Sequence, residues 1–190
     1  MKKIKPEDID EAVEALEKGQ IIVYPTETSY GVGCDATNEE AVARLFGLKG
    51  RPHSKGTTVL IPDIVYVQEY IQVSAKARAL MDKYWPGPVN IIAPIARRSR
   101  LAKQCSQGGT QSLRVSSNPI VSELIGRFGG PIVSSSANFS GEPEVYSADA
   151  VELDADLLID AGDLEKHLPS TNVKVEGEKV QVIRQGEIKI

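Results

Sequence analysis

Two groups of residues hold most of the chemistry available to this 190-residue chain. The first is Ser134-Ser135-Ser136-Ala137-Asn138-Phe139-Ser140-Gly141, which follows the apolar run Pro131-Ile132-Val133. Four hydroxyls and one amide at the end of a strand, with Gly141 freeing the backbone, concentrate uncharged donors in a small space and suit phosphate or carboxylate. The second is Lys49-Gly50-Arg51-Pro52-His53-Ser54-Lys55-Gly56. Gly and Pro keep this segment out of a helix and let its backbone approach a ligand. Arginine brings a bidentate fork and lysine a point charge, a pairing that suits a polyphosphate. Each group alone reads equally as a Ser-rich turn or a solvated basic loop. Together they are complementary.

Arg114 interrupts the apolar pattern Leu113-x-Val115 and cannot be buried without an anionic partner. Arg184, after Val180-Gln181-Val182-Ile183, stands in a similar setting. No nucleophile-base constellation accompanies His53 or His167, and no carboxylate pair is placed by spacing. Chemistry here would rest on positioning and charge stabilisation at phosphate, where a protein nucleophile is unnecessary.

The charge distribution agrees. The net charge is −4, yet residues 44–114 hold 12 Lys/Arg against 3 Asp/Glu. A basic middle third in an acidic chain points to an anion handled there. Cys34 and Cys105 lack metal-type spacing and read as reduced, buried thiols. Met1-Lys2-Lys3-Ile4-Lys5 leads into Pro6-Glu7-Asp8 without an apolar core, so neither a secretory signal nor a membrane span is expected, and the expected location is cytoplasmic.

The elements that must position these groups alternate. Helices are expected over 6–18, from the Thr37-Asn38-Glu39-Glu40 capping box to Leu48, over 74–84 and over 118–128, with a short one over 147–153. Strands are expected over 21–24, 57–61, 89–92, 112–115, 131–133 and 157–160. Val173-Lys174-Val175 and Val180 to Ile183 read as a hairpin, Pro25 to Gly31 as a polar loop and residues 97–103 as a basic loop or short helix. The sum is one α/β domain over residues 1–190, built on a mixed, twisted, open sheet. Rossmann and P-loop glycine patterns are absent.

Five motifs occur in register: Tyr24-Pro25-Thr26-Glu27-Thr28-Ser29-Tyr30-Gly31-Val32-Gly33-Cys34-Asp35, Leu48-Lys49-Gly50-Arg51-Pro52, Trp85-Pro86-Gly87-Pro88, Ser112-Leu113-Arg114-Val115 and the Ser134 to Gly141 stretch. In these the chain resembles the YrdC/TsaC family of threonylcarbamoyl-AMP synthases, its short bacterial TsaC branch in particular. The resemblance implies a YrdC-like open sheet around a large concave basic cavity. It also implies a nucleotidyltransferase that condenses L-threonine, bicarbonate and ATP to threonylcarbamoyl-AMP and pyrophosphate, for t6A modification of tRNA. Carried over by motif, Thr28, Arg114 and Ser170 contact threonine, and Arg51, Lys55, Ser134, Ser136 and Arg184 contact ATP. Lys49, Arg51, Ser136 and Asn138 form the family's catalytic signature. Mg2+ is expected on the phosphates, and threonylcarbamoyl-transfer proteins downstream. The basic surface is expected to contact tRNA or double-stranded RNA, and the alternative reading is an RNA-binding module acting in ribosomal RNA maturation. Ser29, Asn90 and Ser170-Thr171-Asn172-Val173 depart from the family pattern around the threonine pocket.

Overall fold

Alternation of apolar residues along the strands decides the architecture. The computed structural model describes residues 1–52 and 55–190; His53 and Ser54, part of the basic loop singled out above, lie outside the described residues. The strands are β1 (Lys2–Ile4), β2 (Ile22–Pro25), β3 (Tyr30–Gly33), β4 (Thr58–Leu60), β5 (Val89–Pro94), β6 (Thr110–Arg114), β7 (Ile132–Ser136), β8 (Leu157–Ile159), β9 (Thr171–Glu176) and β10 (Lys179–Arg184). The helices are α1 (Ile9–Glu17), α2 (Glu39–Leu48), α3 (Ala75–Tyr84) and α4 (Pro119–Phe128). The strands form one mixed sheet in the order β1-β8-β2-β3-β7-β4-β6-β5-β9-β10. Pairing is parallel at β1/β8, β2/β8, β4/β6 and β5/β9, and antiparallel elsewhere.

Successive side chains leave opposite faces of a strand, so each strand feeds two cores. Ile22, Tyr24, Leu60, Ile132, Leu157 and Ile159 pack with Leu16 of α1 and Val121, Leu124 and Ile125 of α4. Their neighbours Val23, Val32, Val59, Val133 and Leu158 pack on the other side with Val42, Leu45 and Phe46 of α2 and Ala77 and Met81 of α3. Helices therefore cover both faces, as an extensively buried sheet requires.

Local chemistry starts and stops these helices. The Asn38 side chain accepts from the Glu40 and Ala41 amides, so Asn38, not Thr37, caps α2. Thr37 instead donates to Asp35 at 2.7 Å. Asn118 caps α4 through the Ile120 and Val121 amides, with Pro119 in the first turn, and Gly129 ends it in the left-handed conformation.

Several expected elements shift. The first helix opens as a 3-10 turn at Pro6–Asp8, and the helix expected over 147–153 is a single 3-10 turn at Ala148–Ala150. The loop expected from Pro25 to Gly31 is the tight end of a β2/β3 hairpin that pairs Tyr24 with Gly31 and Val23 with Val32. Two glycines of β3 approach their neighbours closely. A Cβ at Gly33 would lie 1.9 Å from the Val133 carbonyl oxygen, and one at Gly31 would lie 3.1 Å from the Tyr24 ring.

Candidate active site

The register of the central strands explains where the site lies. Leu60 pairs with Ile132 and Arg114, while two residues back Thr58 pairs with Ser134 and Ser112. These residues share one face of the sheet. Leu60 and Ile132 lie in the core shared with α1 and α4. Beyond that cover the same face turns polar, with Thr58, Ser112, Ser134 and Ser136 along its strands. The switch along β7 from Ile132 to Ser134 and Ser136 marks the boundary between covered core and open floor.

This floor belongs to a cavity of about 370 Å³. Thr26, Thr28 and Ser29 line it from the β2/β3 turn, Asn90 and Ile92 from β5, and Asn172, Ile183 and Arg184 from β9 and β10. Arg51, Gly56, Gln107 and Thr110 complete the rim, and among the described residues Glu144 is the one carboxylate in the wall. Of the residues expected from sequence, Thr28, Arg51, Arg114, Ser134, Ser136, Ser170 and Arg184 all meet here. Sequence reasoning passed over Glu144, Thr26 and Thr58. The strand period would have pointed to Thr58, whereas Glu144 stands in a loop with no periodic signal.

Arg114 is only 4% exposed. One guanidinium nitrogen donates to the Ser170 hydroxyl, and it lies 3.8 Å from Glu27 Oε1. Its Nε is buried without a hydrogen-bond partner among the described residues. Arg184 donates Nε and Nη2 to the Ser170 carbonyl oxygen at 3.1 and 2.8 Å. Ser170 thus fixes both arginines, by hydroxyl and by carbonyl. Burial lowers the Arg184 pKa from its ordinary value, Glu144 offsets this and Arg114 adds to it. Arg51 donates to the carbonyls of Lys55 and Gly56 and lies over the Phe46 ring at 5.7 Å. Burial also lowers its pKa. A guanidinium stays charged throughout the neutral range, so among the described residues three arginines and one carboxylate line the cavity.

The remaining expected residues lie elsewhere. Lys49 is 3% exposed and sits outside the cavity lining, its ammonium donating to the carbonyls of Ser136 and Asn138. Burial, with Arg51 adding, lowers its pKa to about 8. The Asn138 amide donates to the carbonyls of Phe139 at 3.0 Å and Glu142 at 2.6 Å, and Asn138 is likewise absent from the lining. Both residues brace the Ser/Asn loop from behind. Lys55 is exposed and lies beside the rim.

Cys105 touches the cavity, but burial pushes its thiol up to about 12, away from the reactive thiolate form. His167 sits against Glu187 and Glu165, outside the lining. Among the described residues no cluster of three or more His, Cys, Asp or Glu could hold a metal ion. No described helix is long and apolar enough to cross a membrane.

Comparison with known proteins adds independent findings. The family model for Sua5, YciO and YrdC proteins, described as telomere recombination, matches residues 14–186. The chain is 34% identical over 187 residues to a threonylcarbamoyl-AMP synthase of Vibrio vulnificus, covering 94% of this chain and 98% of that one. Among solved structures it resembles Escherichia coli YciO, with TM-score 0.82 and 29% identity over 97% of this chain and 94% of that one. It also resembles P. abyssi Sua5 complexed with L-threonine, with TM-score 0.87 and 28% identity. That match covers 97% of this chain and 56% of the Sua5 chain.

Proposed function

Because the chain belongs to the Sua5/YciO/YrdC family, we propose that its cavity makes threonylcarbamoyl-AMP from L-threonine, bicarbonate and ATP, supplying the t6A modification of tRNA. The observation that carries this reading is the convergence of Arg51, Arg114 and Arg184 on one hydroxyl-lined cavity, with the Arg114 Nε buried and unpartnered. An unpaired buried guanidinium edge is unfavourable until an anion occupies it. The named activity of the Vibrio vulnificus relative and the threonine held by P. abyssi Sua5 support the same reading.

The reaction divides between the two ends of the cavity. Thr28, Arg114 and Ser170 take the amino acid, with Arg114 on its carboxylate through a charge-assisted fork. Arg51, Lys55, Ser134, Ser136 and Arg184 take the triphosphate. The threonine amine attacks carbon dioxide derived from bicarbonate, forms the N–C bond and loses a proton, which leaves a carbamate. A carbamate oxygen attacks the α-phosphorus, the bond to the β-phosphate oxygen breaks, and pyrophosphate departs with the electron pair. Negative charge grows on the leaving group, and fixed guanidinium and hydroxyl donors stabilise it without reorganising. Mg2+ enters as part of the MgATP substrate. The single lining carboxylate gives little reason for a resident ion, and small hard cations of this kind ride on substrate phosphates. The hydroxyl-rich walls replace bulk water around the labile carbamate.

The test is pyrophosphate release from ATP with threonine and bicarbonate supplied separately and together. The reading requires both, and requires threonylcarbamoyl-AMP as co-product.

A contact with tRNA or double-stranded RNA is the second reading, alongside hand-over to threonylcarbamoyl-transfer proteins. The observation that favours it is a basic segment away from the cavity lining, with Arg97, Arg98, Arg100 and Lys103 all exposed. Such a contact would be a backbone contact, so its affinity would fall steeply with salt. Salt-independent binding, or none at low salt, defeats it.

A further inference from the structure

Glu27 lies between Thr26 and Thr28, both of which line the cavity, but its own side chain does not. It is also not a free surface group, since its side chain is only 12% exposed. Its Oε2 accepts from the Ser116 hydroxyl at 2.6 Å. The Ser116 oxygen accepts in turn from the Asn118 amide at 3.2 Å, and Asn118 is the residue whose side chain caps α4. One carboxylate oxygen is therefore tied to the N-terminal end of a packed helix.

The other oxygen is held differently. Oε1 is 3.8 Å from Arg114 Nη1, close enough for strong charge attraction but beyond hydrogen-bond distance. Oε1 and Arg114 Nε are both buried without a hydrogen-bond partner among the described residues. Two buried, opposite charges that each leave an atom unsatisfied are unusual, because buried polar groups are ordinarily paired. A fork-to-fork ion pair would have satisfied both and consumed the edge of the guanidinium. Here the Ser116 bond holds the carboxylate back, and the Ser170 hydroxyl holds Nη1.

We propose that Glu27 is a positioning residue for the amino-acid end of the site. It balances the Arg114 charge and fixes the direction of its guanidinium, while leaving Nε without a protein partner, so that the incoming substrate carboxylate can satisfy it. This inference rests on the assignment of Arg114 to that carboxylate. Charge balance at a stand-off distance solves a specific problem. Without a counter-charge, a buried guanidinium would move toward solvent or capture an adventitious anion. With a full salt bridge it would no longer have a free edge for substrate.

The experiment is steady-state pyrophosphate release by Glu27→Gln, Glu27→Asp, Ser116→Ala, Arg114→Ala and the double variant Glu27→Gln/Arg114→Ala, varying threonine and ATP separately. Glu27→Gln keeps the shape and the capacity to accept from Ser116 but removes the charge. It should raise the KM for threonine roughly tenfold or more while leaving the KM for ATP within about twofold, because the lost interaction lies at one substrate only. Glu27→Asp retains the charge on a shorter stem and should fall between wild type and Glu27→Gln. Ser116→Ala frees the carboxylate and should shift the threonine KM in the same direction by a smaller factor. In the Arg114→Ala background, Glu27→Gln should add nothing further, since Glu27 acts through Arg114.

An unchanged or lowered threonine KM in Glu27→Gln, an equal rise in both KM values, or full additivity with Arg114→Ala overturns the proposal. If Glu27→Gln does not fold, Ser116→Ala decides, and an unchanged threonine KM there overturns it. The underlying assignment is tested by Arg114→Ala alone. If that variant leaves the threonine KM untouched, the assignment and this inference fall together. If it raises the KM and Glu27→Gln does not, the assignment stands and only the role of Glu27 falls.

Discussion

The Lys49 ammonium donates to the Asn138 carbonyl oxygen at 2.5 Å and also to that of Ser136, so a cation at the end of α2 pins the loop that carries the cavity hydroxyls. The Ser140 amide returns a bond to the Lys49 carbonyl at 3.0 Å. Lys49 holds this loop from outside the cavity lining. Its position explains how a hydroxyl cluster at a strand end keeps a fixed geometry although glycine and proline follow it.

Burial lowers the Lys49 pKa to about 8 from an ordinary 10.5. Between these two values the unfolded chain holds a proton that the folded chain has released. Unfolding then takes up a proton, so this residue's contribution to stability rises with pH across that window and is flat below it. Lys49→Met lacks the effect. The stability difference between wild type and Lys49→Met should shift in favour of wild type by on the order of 1 kcal/mol per pH unit between about pH 8 and pH 10. Urea denaturation at pH 7, 8.5 and 9.5 measures it. A difference that stays constant over these pH values contradicts the placement of the ammonium.

Arg51 has a double role. It lines the cavity, and it also holds its own loop through the Lys55 and Gly56 carbonyls and the Phe46 ring. Arg51→Ala should lower kcat/KM for ATP by roughly 30- to 1000-fold, as loss of a donor that strengthens when pyrophosphate leaves costs about 2–4 kcal/mol in the transition state. The loop contacts add a stability loss of about 1–2 kcal/mol, more than an exposed loop alone would suggest. Arg51→Lys should recover part of the activity, because it restores charge but not the fork. Kinetics and thermal melts of the same two variants separate the roles. Full activity in Arg51→Ala removes it from the phosphate end.

Gly33 carries a purely steric demand. A Cβ there would lie 1.9 Å from the Val133 carbonyl oxygen, at the contact between β3 and β7 that also receives the Tyr24 hydroxyl at 2.8 Å. Backbone cannot yield as a flexible side chain does, so Gly33→Ala should destabilise the fold by about 2–4 kcal/mol. Gly47→Ala is the control, since a Cβ there meets nothing within 4 Å. It should be neutral or slightly stabilising, as Gly is a poor helix residue. Equal melting temperatures for the two variants would contradict the tight hairpin packing.

Much of this was legible in the sequence, for physical reasons that also mark where legibility stops. The apolar periodicity of α1, α2 and α4 and the apolar runs of β2 and β4 report burial directly. Arg114 and the Ser134 to Ser136 run stood out because polar groups interrupt such patterns. The β3 strand did not, because Tyr30-Gly31-Val32-Gly33 follows a polar segment and two of its four residues have no side chain to show a pattern. Lys49 and Asn138 were recognisable as signature residues, yet their residue types could not tell bracing a loop from touching a ligand. In the fold each donates to backbone carbonyls of the Ser/Asn loop. Glu27 and Glu144 gave no periodic signal, since a carboxylate in a loop reads as a solvated charge until the fold brings arginines beside it.

The threonine end should discriminate by modest margins. One methyl group separates threonine from serine, and a single methylene-sized difference is worth about 1–3 kcal/mol in kcat/KM. Serine should therefore turn over at roughly 1/10 to 1/200 of the threonine efficiency. Competition between the two at fixed ATP measures the ratio, and equal efficiency would defeat the assignment of threonine as the preferred substrate.

The most direct measurement of the central claim is pyrophosphate release from ATP by the wild-type protein, with the nucleotide product identified by mass spectrometry. With threonine and bicarbonate both present, pyrophosphate and threonylcarbamoyl-AMP should form in equal amounts, and omission of either should abolish both. Arg114→Ala should raise the threonine KM sharply, with turnover still measurable at high threonine, while retaining ATP binding. Pyrophosphate release that ignores threonine or bicarbonate, or none from a folded protein that binds ATP, would contradict the account.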